Sequence, residues 1–288
     1  MGGAPCNVAS TVQKLGGHAE MVTQLGDDAF GDIIVETLDD IGVGTSFIRR
    51  TDEANTALAF VSLTQDGERE FSFYRKPSAD MLYKSEYLTD LTVTEEDILH
   101  FCSVDLVQSD MKIAHETLIN QFHQAGGTIV FDPNVRLPLW DSAEECQQAI
   151  RQFIPRAHIV KISDEELTFI TGYTDEQAAL KWLFQGNVEA VIYTKGAAGS
   201  EIHLKDGSVQ SHEGFEVTPI DTTGAGDAFI GAAISKLLTY DAKNLADALQ
   251  QHGASILKFS NFVAAQVTTK YGAIESIPTL TEVEKGLQ

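Results

Sequence analysis

The chain has 288 residues, 43% of them hydrophobic and 22% charged, which is enough to bury the core of one large α/β unit. Its formal charge is −22 with the acidic residues scattered rather than gathered in a tail, which argues against a nucleic-acid partner, whose backbone is bound through Lys and Arg. No apolar run approaches the ~20 residues of a membrane span, so no membrane role is implied.

Cys6, Cys102 and Cys146 are odd in number and widely spaced. They predict reduced thiols in a cytoplasmic protein rather than disulfides or structural zinc. No basic-then-apolar leader opens the sequence, and the histidines form no H-E-x-x-H pattern. An anionic ligand would meet an acidic surface, so its site must be local: a helix terminus, a few cations or a metal.

In chain order, Val8, Val12 and Leu15 keep helical spacing and Gly16-Gly17 ends the run. "AEMVTQLG" reads as a strand, followed by a second helix through Phe30, Ile34, Leu38 and Ile41. "TALAFVSL" and "EREFSFYR" flank "TQDG", where Asp66-Gly67 is a strong turn signal, so a β-hairpin is predicted from about Thr56 to Arg75. Its fringe of Phe71, Phe73, Tyr74 and Arg75 suits a flap over a ligand or a pairing surface for a second copy; packing on its own domain is the alternative. From about residue 97, "DILHFC", "GTIVFD", "AHIVKIS" and "AVIYTKG" are short apolar strands, separated by helices such as Ala143 to Phe153 and Asp175 to Leu183. Repeated units of this kind predict a mainly parallel sheet covered by helices, an α/β three-layer fold in one domain of residues 1–288, with the flap at about 54–78. Ligands of such sheets gather at the carboxyl ends of the strands, where "FDPNVR", "KISDEE" and "YTKGAAG" lie.

Asp227 stands in "DTTGAGDAFIGAAISKLL", just ahead of an almost wholly apolar helix. The small residues Gly224, Ala225 and Gly226 let backbone N–H groups approach an anion, and the helix start adds the positive end of its dipole. An aspartate in a first turn can simply complement that dipole. A glycine cradle, an adjacent carboxylate and a buried helix together point instead to a catalytic base, Asp227, beside an electrophilic phosphate. The spacing fits neither a Walker loop nor a dinucleotide fingerprint.

"DTTGAGDAF" resembles the C-terminal signature of ribokinase-like (PfkB) carbohydrate kinases, and "GGAPCNVA" resembles their N-terminal glycine motif. The likeness covers essentially the whole chain, and "GGAPCNVA", "FYRKPSADMLY" and "FDPNVRLPLW" look most like bacterial fructokinases. The resemblance implies ATP-dependent phosphorylation of a sugar's primary hydroxyl, with Asp227 as base and Gly224, Ala225 and Gly226 as anion hole. It places ATP along "YTKGAAGS", at Thr194, Lys195, Gly196 and Gly199, although K-G-x-x-G after a strand is also a common hairpin turn. Asn261 corresponds to the adenine side. "KISDEEL" is similar to the family's N-x-x-E element with Ser163 in place of asparagine, which leaves Glu166 to act on magnesium through water; acids in a helix's first turn are favoured anyway. Asp221, Thr223, Gly272 and Ser276 correspond to a monovalent cation site, implying potassium activation.

On the sugar side the resemblance implies Gly3 and Asn7, with Asn7 alternatively a helix cap. Arg136, and less directly Arg75, are candidates to orient sugar or phosphate, surface ion pairs being the other reading. The family pattern carries a strand and an aspartate-bearing loop ahead of the glycine motif, and this sequence holds no match to them. Weaker sugar binding and lower stability than in a chain with that segment are therefore expected. Three functions are open on these residues: a kinase of fructose, a kinase of 2-keto-3-deoxygluconate or a nucleoside, and a catalytically silent sugar- or nucleotide-binding module. A homodimer through the flap is expected.

Overall fold

Apolar runs bounded by turn residues become strands wherever both faces can be covered. The computed structural model describes residues 2–63, 69–240 and 245–288, with the backbone alone for 61–63 and 69–71. Four parallel strands, β5 (Ile98–Cys102), β6 (Thr128–Asp132), β7 (Ile159–Ser163) and β8 (Ala190–Thr194), form the body of a six-stranded sheet. β9 (Ser200–Leu204) and β10 (Val209–His212) extend it as an antiparallel pair, giving the order β10-β9-β8-β7-β6-β5. The sheet is therefore mixed, parallel where crossovers occur and antiparallel where a short turn suffices.

Strand alternation divides the core between two faces. Val130, Ile159, Ala190 and Ile192 pack with α1 (Ala4–Lys14), α7 (Ala225–Leu237) and α8 (Leu245–Thr268). Phe131, Val160, Ile162 and Val191 point the other way, into a cluster with α3 (Asp110–Ala125), α4 (Ala143–Phe153), α5 (Asp164–Thr171) and α6 (Glu176–Trp182). The three-layer α/β/α arrangement agrees with the sequence reading. α4 spans the predicted residues, and α6 starts one residue after Asp175, whose side chain caps it by accepting from the Ala178 N–H.

The first strand is shorter than expected from "AEMVTQLG". Only β1 (Thr23–Gly26) is regular, and Glu20 makes an isolated bridge with Gly44. β1 pairs in parallel with β2 (Ile48–Thr51), and α2 (Ala29–Ile41) connects them. β1 and β5 each end their sheets, and a mainly apolar cavity of about 330 Å³ is lined by Thr23 of β1 and Leu99 of β5 together with Val12 of α1 and Met111, among others. The predicted hairpin is present as β3 (Leu58–Leu63) paired with β4 (Arg69–Tyr74). The Asp66-Gly67 turn and the Phe71 side chain lie outside the described residues.

Candidate active site

The site forms where α7 begins. Gly224, at φ +80°, is the cap residue ahead of Ala225, and a Cβ on it would stand 2.9 Å from the Ala273 Cβ, so glycine is required there. Gly226 follows in the exposed first turn. Residues 228 to 235 are all buried against α1 and α8, which fixes the direction of the helix and of its N-terminal N–H groups.

Asp227, in the first turn of α7, is held by side chains from other elements. Its Oδ2 accepts from Asn7 Nδ2 at 2.8 Å and its Oδ1 from Asn134 Nδ2 at 3.2 Å. Asn7, 4% exposed, lies inside α1 rather than at its cap, because Gly3 at φ +118° is the cap residue. Its Oδ1 is buried without a hydrogen-bond partner among the described residues. Asn134 adopts φ +44°, a left-handed conformation that asparagine tolerates better than most residues, and so turns its amide back toward α7. Two amides thus hold the carboxylate in a fixed orientation, which a proton acceptor needs.

The carboxyl ends of β6 and β7 meet beside it. The register that pairs Val130 with Ile159 and Phe131 with Val160 carries on to place Asp132 beside Lys161, whose Nζ lies 3.2 Å from Asp132 Oδ1 with both side chains buried. Burial pushes the Asp132 carboxyl up to about 7, with Lys161 opposing the rise and Glu166 and Asp227 adding to it. Ser163 and Glu166 form a capping box on α5, in which Glu166 Oε2 accepts from the Ser163 N–H and hydroxyl. Glu166 Oε1 accepts from the Val135 N–H at 2.7 Å and so ties α5 to the loop that carries Asn134. Burial alone would raise Glu166; Lys161 and these donors outweigh it and hold the carboxyl below its ordinary range.

Thr194 ends β8 opposite Ser163. Residues 195 to 199 make a tight turn into β9, so the K-G-x-x-G segment is a hairpin turn in geometry. Gly199, at φ +103°, is packed against the His212 carbonyl, where a Cβ would have no room, whereas Gly196 has open space around it. Lys195 pairs with Glu201 and lies over the Tyr193 ring. Asn261 on α8 accepts from Ser200 and donates to the His212 carbonyl, so its amide joins α8 to the β9–β10 edge. Asp221 accepts from the Thr223 N–H at 2.8 Å and from the Gly272 N–H at 3.3 Å, which brings the two loops together, and Ser276 is buried one turn beyond.

The two arginines expected on the sugar side differ. Arg75 ends the flap with its side chain 9% exposed, donating to Asp80 and the Val104 carbonyl and lying 3.6 Å from Asp105. Arg136 is half-buried and donates to the neighbouring Val135 carbonyl. Asn134, Asp132 and Lys161 were not singled out by sequence; the available signals were the "DPN" strand end and a lysine inside the otherwise apolar strand "IVKIS".

The profile described as pfkB family carbohydrate kinase matches residues 1–280. The chain is 41% identical to Fructokinase-2 of Solanum habrochaites over 285 residues, 98% of this chain and 85% of that protein. To Fructokinase-1 of Zea mays it is 40% identical over 285 residues, 98% of this chain and 86% of that one. Among solved structures, a fructokinase from Xylella fastidiosa with bound ATP superposes with TM-score 0.92 at 34% identity, over 99% of this chain and 89% of its own. A fructokinase from Vibrio cholerae O395 with fructose, ADP and calcium gives TM-score 0.91 at 31% identity, over 100% of this chain and 91% of its own. The glycine turn, the amide-held aspartate and this likeness along the whole chain agree: the chain belongs to the pfkB family of carbohydrate kinases.

Proposed function

We propose that the chain transfers the γ-phosphate of ATP to the primary hydroxyl of fructose, giving fructose 6-phosphate. The observation that carries this reading is Asp227, oriented by Asn7 and Asn134 directly behind the Gly224–Gly226 turn. Asp227 takes the hydroxyl proton as the oxygen attacks, and the N–H groups at the start of α7 meet the charge that develops on the transferring phosphoryl group. The Asn7 Oδ1, buried and without a partner among the described residues, is a ready acceptor for a sugar hydroxyl, and Gly3 at the cap of the same helix has open space around it. Arg136 follows in the loop that carries Asn134 and would orient the sugar or phosphate from there. Arg75 acts through the flap, its guanidinium held by Asp80 and Asp105.

The nucleotide would lie along Thr194, Lys195, Gly196 and Gly199, with Asn261 behind the adenine side. Gly196 offers open backbone for this, and Lys195 offsets phosphate charge while paired to Glu201. Among the described residues no trio of His, Cys, Asp or Glu is arranged to hold a metal. That fits magnesium carried on the nucleotide's phosphates, with Glu166 acting on its water shell. The Asp221, Thr223, Gly272 and Ser276 loops suit a potassium ion, whose part would be to steady the anion hole. The exposed pair of Phe60 and Tyr74 on the flap supports docking of a second copy, which a monomer mass in light scattering would exclude. Free, buried thiols at Cys6, Cys102 and Cys146 accord with a reducing cytoplasm.

The test is ADP release with ATP and fructose, 2-keto-3-deoxygluconate or a nucleoside. Fructose is expected to give a kcat/KM at least about tenfold above the others, the discrimination of one or two hydrogen bonds. Preference for another acceptor would reassign the substrate, and sugar binding without ADP release would make the chain a silent module.

A further inference from the structure

The Asp132 carboxylate at the end of β6 meets the Lys161 side chain on β7, both buried, and the half-buried Glu166 on α5 and Asp227 on α7 are near enough to act on the same lysine. Its Nζ is 3.2 Å from Asp132 and would lie 3.7 Å from a Cβ on Gly226, so the ammonium sits directly beneath the first turn of α7. Stability does not explain such a placement. Removing two charges from water costs several kcal/mol each, and a well-packed apolar pair in the same volume is often as stable or more so. A buried cation held there acts instead on its neighbours.

We propose that Lys161 is a positioning residue for phosphoryl transfer, a buried cation that balances the carboxylates beneath the first turn of α7 and fixes the β6 end from which Asn134 reaches Asp227. Asp132 anchors the ammonium, and two residues further on Asn134 donates to Asp227, so both act from the same strand end. A carboxylate next to other carboxylates is harder to keep ionised; a nearby cation reverses that, commonly by one to three pH units. Among the other titratable groups nearby, Asp105 is ionised and already met by Arg75, whereas His100 and the two thiols carry no charge at neutral pH. Burial and Lys161 push His100 on β5 down to about 4. Burial raises the thiols of Cys102 on β5 and Cys6 on α1, Cys6 to about 11. Lys161 is thus left facing Asp132, Glu166 and Asp227. For Lys161 itself, burial favours the neutral form, but Asp132 and Glu166 outweigh it and raise its affinity for the proton.

The inference rests on the reading of Asp227 as base, and the two are separable by experiment. In Lys161→Met, kcat with fructose is expected to fall about 10- to 100-fold. KM for ATP and fructose should stay within about threefold, and the acidic limb of the kcat profile should move up by about one unit. Lys161→Arg, which keeps the charge, should keep the limb in place. If Lys161→Met does not fold, Lys161→Gln, which keeps a hydrogen bond to Asp132 without the charge, takes its place. An unchanged acidic limb in the folded variant overturns the proposal, whether or not kcat falls. With Asp227→Asn inactive, that result removes the role of Lys161 alone; an active Asp227→Asn removes the base as well.

Discussion

At the scale of single residues, Asp227 illustrates how a sequence signal and its contacts divide the work. A carboxylate in the first turn of an apolar helix is visible in sequence, and so are the glycines before it. The two amides that hold it were not visible together, because Asn7 and Asn134 lie 220 and 93 residues away from it and meet it only through the packing of α1 and β6 on α7. The Asp132–Lys161 pair was hidden for a related reason: it follows from strand register, and a one-residue slip would put the two on opposite faces. Gly224 makes the backbone argument testable. Its φ of +80° and the 2.9 Å approach of the Ala273 Cβ make Gly224→Ala both strained and crowded. The variant is expected to lose about 1–3 kcal/mol, a fall in Tm of roughly 2–12 °C at this chain length. Calorimetry giving an unchanged Tm would contradict this.

At the scale of elements, the strands and helices of the sheet were legible because periodicity and turn residues agree there, as in α4 and β5 to β8. The "AEMVTQLG" segment was less so. Its apolar residues alternate, but Glu20 forms only an isolated bridge, so regular pairing begins at Thr23. The flap was legible as a hairpin, but its anchoring was not. Arg75 looked like a surface cation or a substrate ligand, yet its guanidinium joins Asp80 to Asp105, which also faces His115 at 3.7 Å. Burial would raise the Asp105 carboxyl; His115 and Arg75 outweigh it and hold the group below its ordinary value. Because the folded carboxyl binds protons more weakly than the unfolded one, its stabilisation is present above the usual aspartate range near pH 4 and is lost as pH falls through the lower folded value. Asp105→Asn is therefore expected to lower stability by about 1–3 kcal/mol at pH 7 and to raise KM for fructose by loosening the flap. The stability gap should shrink below about pH 4. A pH-independent gap in chemical denaturation, or an unmoved KM, would contradict the anchoring role.

At the scale of the whole molecule, the three-layer fold aligns the ends of β6, β7 and β8 with the start of α7, which is why polar clusters from distant parts of the sequence share one site. The net charge of −22 leaves the site itself to supply attraction for an anionic nucleotide, through helix N–H groups and local cations. All of this converges on one group. The most direct measurement is the steady-state rate of ADP formation with saturating ATP and fructose in the parent chain and in Asp227→Asn, with folding of both verified by circular dichroism. The account predicts a loss of about 10²–10⁴ in kcat at similar KM for ATP; a variant that turns over at the parent rate would contradict it.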